Sequence, residues 1–378
     1  MKDRILSALF IFGLISLFLY SYTQVDLGLT LSRNPAVNFL QKQFQFVGFF
    51  ERPLSTYLYI SILVLFSVLY IIFLRSAKKG HVTRKQFLLL IGSSAVILNF
   101  AYPAFTYDVF NYIFDARILT FYHQNPYLHK ALDFPGDPML QFMHWTQRTY
   151  PYGPVWLGLT APLSVIGKGL FIPTLFLFKG MMTIFFLGTA YFIQRISKNK
   201  FSVLLFAISP LVIFESLVSS HLDIAMMFFA VWSFFLLKKR IYLLSIFFLL
   251  FSIGIKFATV FLLPVYLYVL FKRGKVDWEK MVTYSAVLML ASVIASSFRT
   301  NFQPWYLLDV IPFAALSSKF YIKTPIIISS ILIPLTYVPF LNLGNWDKPV
   351  PTILFYLNIS VIALCILSIL IKSRKIHL

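Results

Sequence analysis

The sequence predicts an all-α polytopic membrane protein with about 12 transmembrane helices, in a range of 10–13. Three observations predict it. Of 378 residues, 59% are hydrophobic and only 12% charged, where a soluble domain carries about 25% charged residues. Apolar runs near the length of a membrane span recur along the chain. The charges are unevenly placed between those runs, with 33 Lys and Arg against 13 Asp and Glu. Mean hydropathy is +0.80, and 43 Phe with 21 Tyr need lipid to cover them. A soluble enzyme and a disordered chain are excluded. A net charge of +20 would suggest nucleic acid in a soluble protein. In a membrane protein it belongs to cytoplasmic loops, so no nucleic-acid partner is expected. The one cysteine, Cys365, lies in an apolar run. No intrachain disulfide or thiolate metal site follows from it.

The first span is 5–22, after Lys2 and Arg4. No small-residue cleavage site follows, only Ser21-Tyr22-Thr23-Gln24, so it reads as a retained span and not a signal peptide. The others are 54–74, 87–104, 172–193, 201–217, 222–237, 241–255, 257–271, 281–298, 305–317, 325–341 and 351–371. Both termini then share one side. The connections assigned to the cytoplasm hold 22 of the 33 basic residues but only Asp3, Asp277 and Glu279 of the acids. This is the positive-inside pattern. Segment 155–170 is apolar, yet counting it as a span would put Lys238-Lys239-Arg240 outside. It is read as a helix in the interface. Residues 23–52 form one outer loop, and 105–153 a longer one, a length that in a compact protein signals function. Residues 1–378 form a single membrane domain with no separate soluble domain and no clear repeat. Within it, 105–170 is an outer loop with interfacial helices. The expected location is the cytoplasmic (plasma) membrane, with both termini cytoplasmic.

Ionisable groups gather at the outer ends of spans. A helix over 106–121 puts Asp108, Asn111, Tyr112 and Asp115 on one face. Two carboxylates there suit a general base with a supporting acid, or a solvated interfacial helix. Arg117 lies on another face and suits an acid or a phosphate. Glu215, Ser219, Ser220, His221 and Asp223 interrupt an apolar stretch. They mark a functional site or a turn in which Asp223 caps the next helix. Lys256 is the lone basic residue of 241–270, facing either an anion or, by snorkelling, the interface. Asp309 follows Trp305 and Tyr306, which also read as an interfacial aromatic pair. No phosphate loop, Gly-x-Ser-x-Gly or His-Glu-x-x-His occurs. Any donor is therefore expected to be lipid-borne.

Four blocks carry a family resemblance. They are Tyr107-Asp108-Val109-Phe110-Asn111-Tyr112, continuing through Arg117 to Asn125-Pro126-Tyr127; Tyr150-Pro151-Tyr152-Gly153-Pro154-Val155-Trp156; Ser209-Pro210-Leu211-Val212 with Glu215 and Ser220-His221-Leu222-Asp223; and Lys256 with Pro264, then Pro304-Trp305-Tyr306. In this order, over 105–312, they resemble the GT-C superfamily of membrane glycosyltransferases. They are most similar to bacterial polyprenyl-phosphate-mannose-dependent alpha-mannosyltransferases. Ala116 stands where glycine is common, Ser209 where asparagine is, and Leu222 between the histidine and the aspartate. These departures leave the sugar and linkage open.

The resemblance implies a hexosyltransferase of mannosyltransferase type that works on the outer face. In it Asp108 is the general base on an acceptor hydroxyl, which attacks the anomeric carbon with inversion and expels polyprenyl phosphate. Arg117, His221, Lys256 and Tyr306 would meet the donor phosphate. Asn111, Tyr112, Asp115, Tyr152 and Asp223 would support the base or hold the acceptor. No cofactor and no metal is expected, because the basic groups supply the charge. The partners are membrane lipids, the polyprenyl-phosphate sugar, and a glycan, lipid or protein acceptor. Tyr150, Tyr152, Trp156 and Trp305 either stack on sugars or anchor at the interface. From the residues alone, a transporter or lipid flippase, or a non-catalytic scaffold, stands beside this reading. A transporter would place its charges nearer mid-bilayer.

Overall fold

The computed structural model describes residues 2–377, with side chains described from Arg4 to Ser373. The terminal charges counted above as cytoplasmic, Lys2 and Asp3 at one end and Arg374 and Lys375 at the other, lie outside the described side chains. Among the described residues the chain is helical, and its one β-bridge is the isolated Lys130–Thr149 pair. In chain order the helices are α1 (Lys2–Ser21), α2 (Pro35–Phe49), α3 (Arg52–Lys78), α4 (Arg84–Leu98), α5 (Asp108–Thr120), α6 (Pro154–Ile166), α7 (Phe171–Ser197), α8 (Lys200–Ala207), α9 (Pro210–Val218), α10 (Asp223–Lys238), α11 (Tyr242–Ile253), α12 (Leu263–Phe271), α13 (Trp278–Thr300), α14 (Ile311–Leu316), α15 (Phe320–Leu332), α16 (Val338–Leu343) and α17 (Val350–His377).

Six stretches are long and apolar enough to cross a bilayer: Arg4–Gln24, Arg52–Lys78, Phe171–Ser197, Trp278–Thr300, Phe320–Leu343 and Val350–Ser373. A seventh arises if α8 and α9, bent by 51° at Ser209-Pro210, count together. The chain is a polytopic membrane protein. The other expected spans are apolar but shorter, such as the 15 residues of α4 and the 12 of α11. At 1.5 Å per residue these reach about 18–23 Å, short of a hydrocarbon core of about 30 Å. Polar breaks at Asn99, Gly254 and Lys256 end them early. Leu243, Phe271 and Phe298 lie on the exposed surface, as lipid contact requires.

Local chemistry sets the helix ends. Asn34 accepts from the backbone N–H of Ala36 and precedes Pro35, so α2 starts there. This helix lies inside the segment read as the first outer loop. Its Gln41 and Gln45 turn inward, while Phe39 and Phe46 are exposed. Asn199 caps α8 and Asp277 caps α13 in the same way. Aromatic packing joins the spans. Phe10 of α1 meets Phe66 and Phe73 of α3 edge-on at 5.6 and 6.0 Å.

Two features carry the outer loop to one end of the bundle. Helices α10 and α11 form an antiparallel pair closed at Lys239–Ile241. Asp223 and Lys256 therefore meet at the opposite end. There the backbone N–H of Gly153 donates to Ile255 O and that of Val155 to Gly254 O, both at 3.0 Å. This strap ties Tyr150–Trp156 to the segment bearing Lys256. A Cβ on Gly153 would run into the Gly254 carbonyl. Gly153→Ala is expected to cost about 1–3 kcal/mol, since backbone has to shift. Thermal melts in detergent measure it, and an unchanged melt would mean that the strap does not dock.

Candidate active site

The site starts from a broken helix. Ser209 caps α9 through the N–H of Val212, and Pro210 takes the first position. Residues Ile213–Val218 then wind as a π-helix, a form that often marks functional sites. The turn after it passes through Ser220 in the left-handed region, φ 62°. It delivers His221 to the bundle interior, with no exposed side-chain area. Helix α5 brings Asp108 to the same point at its first turn, after Thr106 accepts from the Asp108 N–H.

The imidazole lies between two carboxylates. His221 Nδ1 is 3.5 Å from Asp108 Oδ2, and Nε2 is 3.3 Å from Glu215 Oε2. Trp305 stacks on its face at 4.1 Å. Tyr337 donates to both Glu215 oxygens, at 2.9 and 3.1 Å. Arg148 Nη2 stands 3.7 Å from Asp108 Oδ1. On the other flank Lys256 Nζ donates to Asp223 Oδ1 at 2.5 Å and sits 4.7 Å over the Tyr306 ring. Asp309 is buried near this pair. Tyr112 packs edge-on to Tyr152 and Trp156. The groups meet as a packed cluster because opposite charges pair across it. Asp108, Asp115, Arg148, Tyr152, Lys256 and Trp305 form its partly exposed edge. A groove of about 340 Å³ lined by Pro53, Tyr57, Val338 and Ile353 lies elsewhere and holds none of these groups.

Several expected roles change with this geometry. Arg117 was assigned to the donor phosphate, yet it is turned away. Its Nε is 2.6 Å from Asp137, its Nη1 donates to Gly169 O, and its plane covers Phe121 at 4.0 Å. Asp137 also accepts from Tyr122 and from the Met139 N–H, so this buried pair pins the outer loop to α5. His221 has a carboxylate on each nitrogen and no exposed edge to offer a phosphate. The Tyr306 hydroxyl is shared with Thr300 at 2.6 Å. Asn111 is buried with no hydrogen-bond partner for its amide nitrogen. Trp156 is fully buried against Tyr112, and the Tyr150 hydroxyl bonds Gly153 O. Neither is free to stack on a sugar. Arg148 was missed. It sits in an irregular segment of polar residues where no periodicity singles it out.

The charges set the protonation states. Burial raises the Asp108 carboxyl, but contact with His221 and the charges of Arg148 and Lys256 bring it below the usual carboxylate value. Burial lowers His221, and the two carboxylates outweigh it and raise the imidazole to about 9. Burial raises Asp115 to about 7, against the pull of Arg148. A histidine raised on folding adds stability that is full below about pH 6.5 and lost as pH rises through about 9. We therefore expect the melting temperature to fall on the alkaline side through that window. Melts from pH 6 to 10 on wild type and His221→Gln read it. A loss in wild type already complete by pH 7.5 would contradict the pairing.

Fold and cluster together define a polytopic membrane protein with a buried cluster of carboxylates and basic groups at one end of its bundle. The chain belongs to the family of alpha-(1->6)-mannopyranosyltransferases, matching the model of that family's N-terminal domain over residues 10–272. No curated protein and no solved structure matches it. Membership makes the chain a glycosyltransferase of mannosyltransferase type, in agreement with the GT-C resemblance. It favours the enzyme over the transporter and the scaffold.

Proposed function

We propose that the chain transfers a hexose, mannose by family, from a polyprenyl-phosphate donor to an acceptor hydroxyl at the outer face of the plasma membrane, with inversion. Asp108 takes the proton of the acceptor hydroxyl. The acceptor oxygen bonds to the anomeric carbon as the bond from that carbon to the phosphate oxygen breaks. Polyprenyl phosphate leaves with one more negative charge than it had in the diester. Groups aimed at that developing charge contribute most to rate. Arg148 and Lys256 have this role, with Arg148 in the place first given to Arg117. His221, protonated between Asp108 and Glu215, orients the base. Asp115 and Tyr152 at the edge hold the acceptor. The cations present supply the charge that the step needs, and no metal or cofactor is required.

One observation carries this reading. A carboxylate kept ionised at the edge of a cluster of cations sits in a member of a mannosyltransferase family. The topology that accompanies it has twelve crossings and both termini in the cytoplasm, the shorter helices crossing where the bundle thins the bilayer. To test the reading, purified protein in vesicles receives radiolabelled polyprenyl-phosphate mannose or GDP-mannose, with a mixed acceptor extract. Transfer from the lipid donor alone is expected. Transfer from the nucleotide alone would overturn the lipid-borne donor.

A further inference from the structure

Lys179 sits in the span Phe171–Ser197 with 1% of its surface exposed, where an ammonium group is costly and marks function. No carboxylate among the described residues lies within ion-pair distance of it. Its Nζ donates to Leu217 O at 2.6 Å, to Val218 O at 3.0 Å and to the Ser220 hydroxyl at 3.5 Å. The two carbonyls close the π-helix Ile213–Val218, where helix dipoles leave negative charge. The hydroxyl belongs to the one residue of that turn held at positive φ, a conformation that persists only when its surroundings over-determine it. The residue after it is His221.

We infer that Lys179 is a positioning residue: its side-chain amino group, through the hydrogen bonds it donates, clamps the end of the broken helix and the Ser220 turn, so that His221 is held between Asp108 and Glu215. It touches no reacting atom in the proposed reaction, on which this inference rests. The groups facing His221 are Asp108, Glu215 and the Trp305 ring, with Tyr337 behind Glu215 and Arg148 behind Asp108.

The test compares wild type, Lys179→Arg, Lys179→Met and Lys179→Met with Ser220→Gly. Glycine takes positive φ without help, so the double variant relaxes what the clamp must hold. Two readouts are made. The first is the titration of His221 by nitrogen NMR of labelled histidine, assigned with His221→Gln, which needs no activity. The second is kcat and KM for the polyprenyl-phosphate donor. Lys179→Met is expected to move the His221 midpoint from about 9 down by about one unit or more. It should lower kcat about 10–100-fold with donor KM within about threefold. Lys179→Arg should keep both near wild type, and Ser220→Gly should recover about tenfold in kcat. A wild-type titration in Lys179→Met overturns the inference. If Lys179→Met does not fold, the double variant decides. Failure of the folded double to recover the midpoint counts against the clamp. A protein that shows the expected titration shifts but transfers no sugar would refute the proposed reaction and leave the clamp standing.

Discussion

Asp108→Asn is expected to lower kcat by about 10²–10⁴-fold, the range for a positioned general base, while donor KM stays within about threefold. The substitution keeps the side-chain shape and removes the proton acceptor together with its negative charge. Because Asp108 lies below the usual carboxylate value, wild-type turnover should not fall on the acid side until well below neutral pH. The variant should also lower the alkaline midpoint of His221, which keeps Glu215 at 3.3 Å but loses its second carboxylate. Steady-state kinetics and a donor-binding isotherm separate these effects. A loss below tenfold would move the base elsewhere. Asp115, seven residues or about 10 Å further along the helix, would be tested next.

Lys256→Ala is the second large effect, and it has two parts. Lys256 is hydrogen-bonded to Asp223, whose side chain is 2% exposed, and Asp309 is buried beside them. Removing the cation leaves the buried Asp223 carboxylate without a counter-charge. Breaking a buried pair from one side costs about 3–5 kcal/mol, so the melting temperature should drop. Donor affinity should also weaken by about 10–100-fold, the worth of one charge-assisted contact to phosphate. The double variant Lys256→Ala with Asp223→Asn separates the parts. It should regain most of the melting temperature and none of the donor affinity. Recovery of both would make Lys256 a structural residue only.

Much of the fold was legible because length and composition alone define a span. The six long apolar helices coincide with expected spans, whereas the break at Ser209-Pro210 falls inside the expected span 201–217 and was not read there. The amphipathic α2 was not legible, because its apolar residues are too sparse for a hydropathy window, and its inward face is made of glutamines. The short helices gave apolar runs, but hydropathy does not report where a polar residue ends a helix. In the site, Asp108, His221, Asp223 and Lys256 were visible as ionisable groups in apolar surroundings, and the fold brings them together. The place of Arg117 outside the cluster was not legible, because its partner Asp137 lies twenty residues on, in an irregular loop whose path no periodicity reveals. Arg148 was hidden among other polar residues. Lys179 had a signal, being the only charged residue between Phe171 and Gln194. Its meaning depends on carbonyls that only the folded chain supplies.

Sugar transfer at the edge formed by Asp108, Arg148 and Lys256 requires the donor lipid to bind there. A photoactivatable polyprenyl-phosphate analogue, crosslinked in vesicles and mapped by mass spectrometry, tests that position directly. Labels are expected within 107–117, 148–156, 221–223, 256 and 305–306, competed by polyprenyl phosphate. Competed labels confined to the groove of Pro53, Tyr57, Val338 and Ile353 would contradict transfer at that edge.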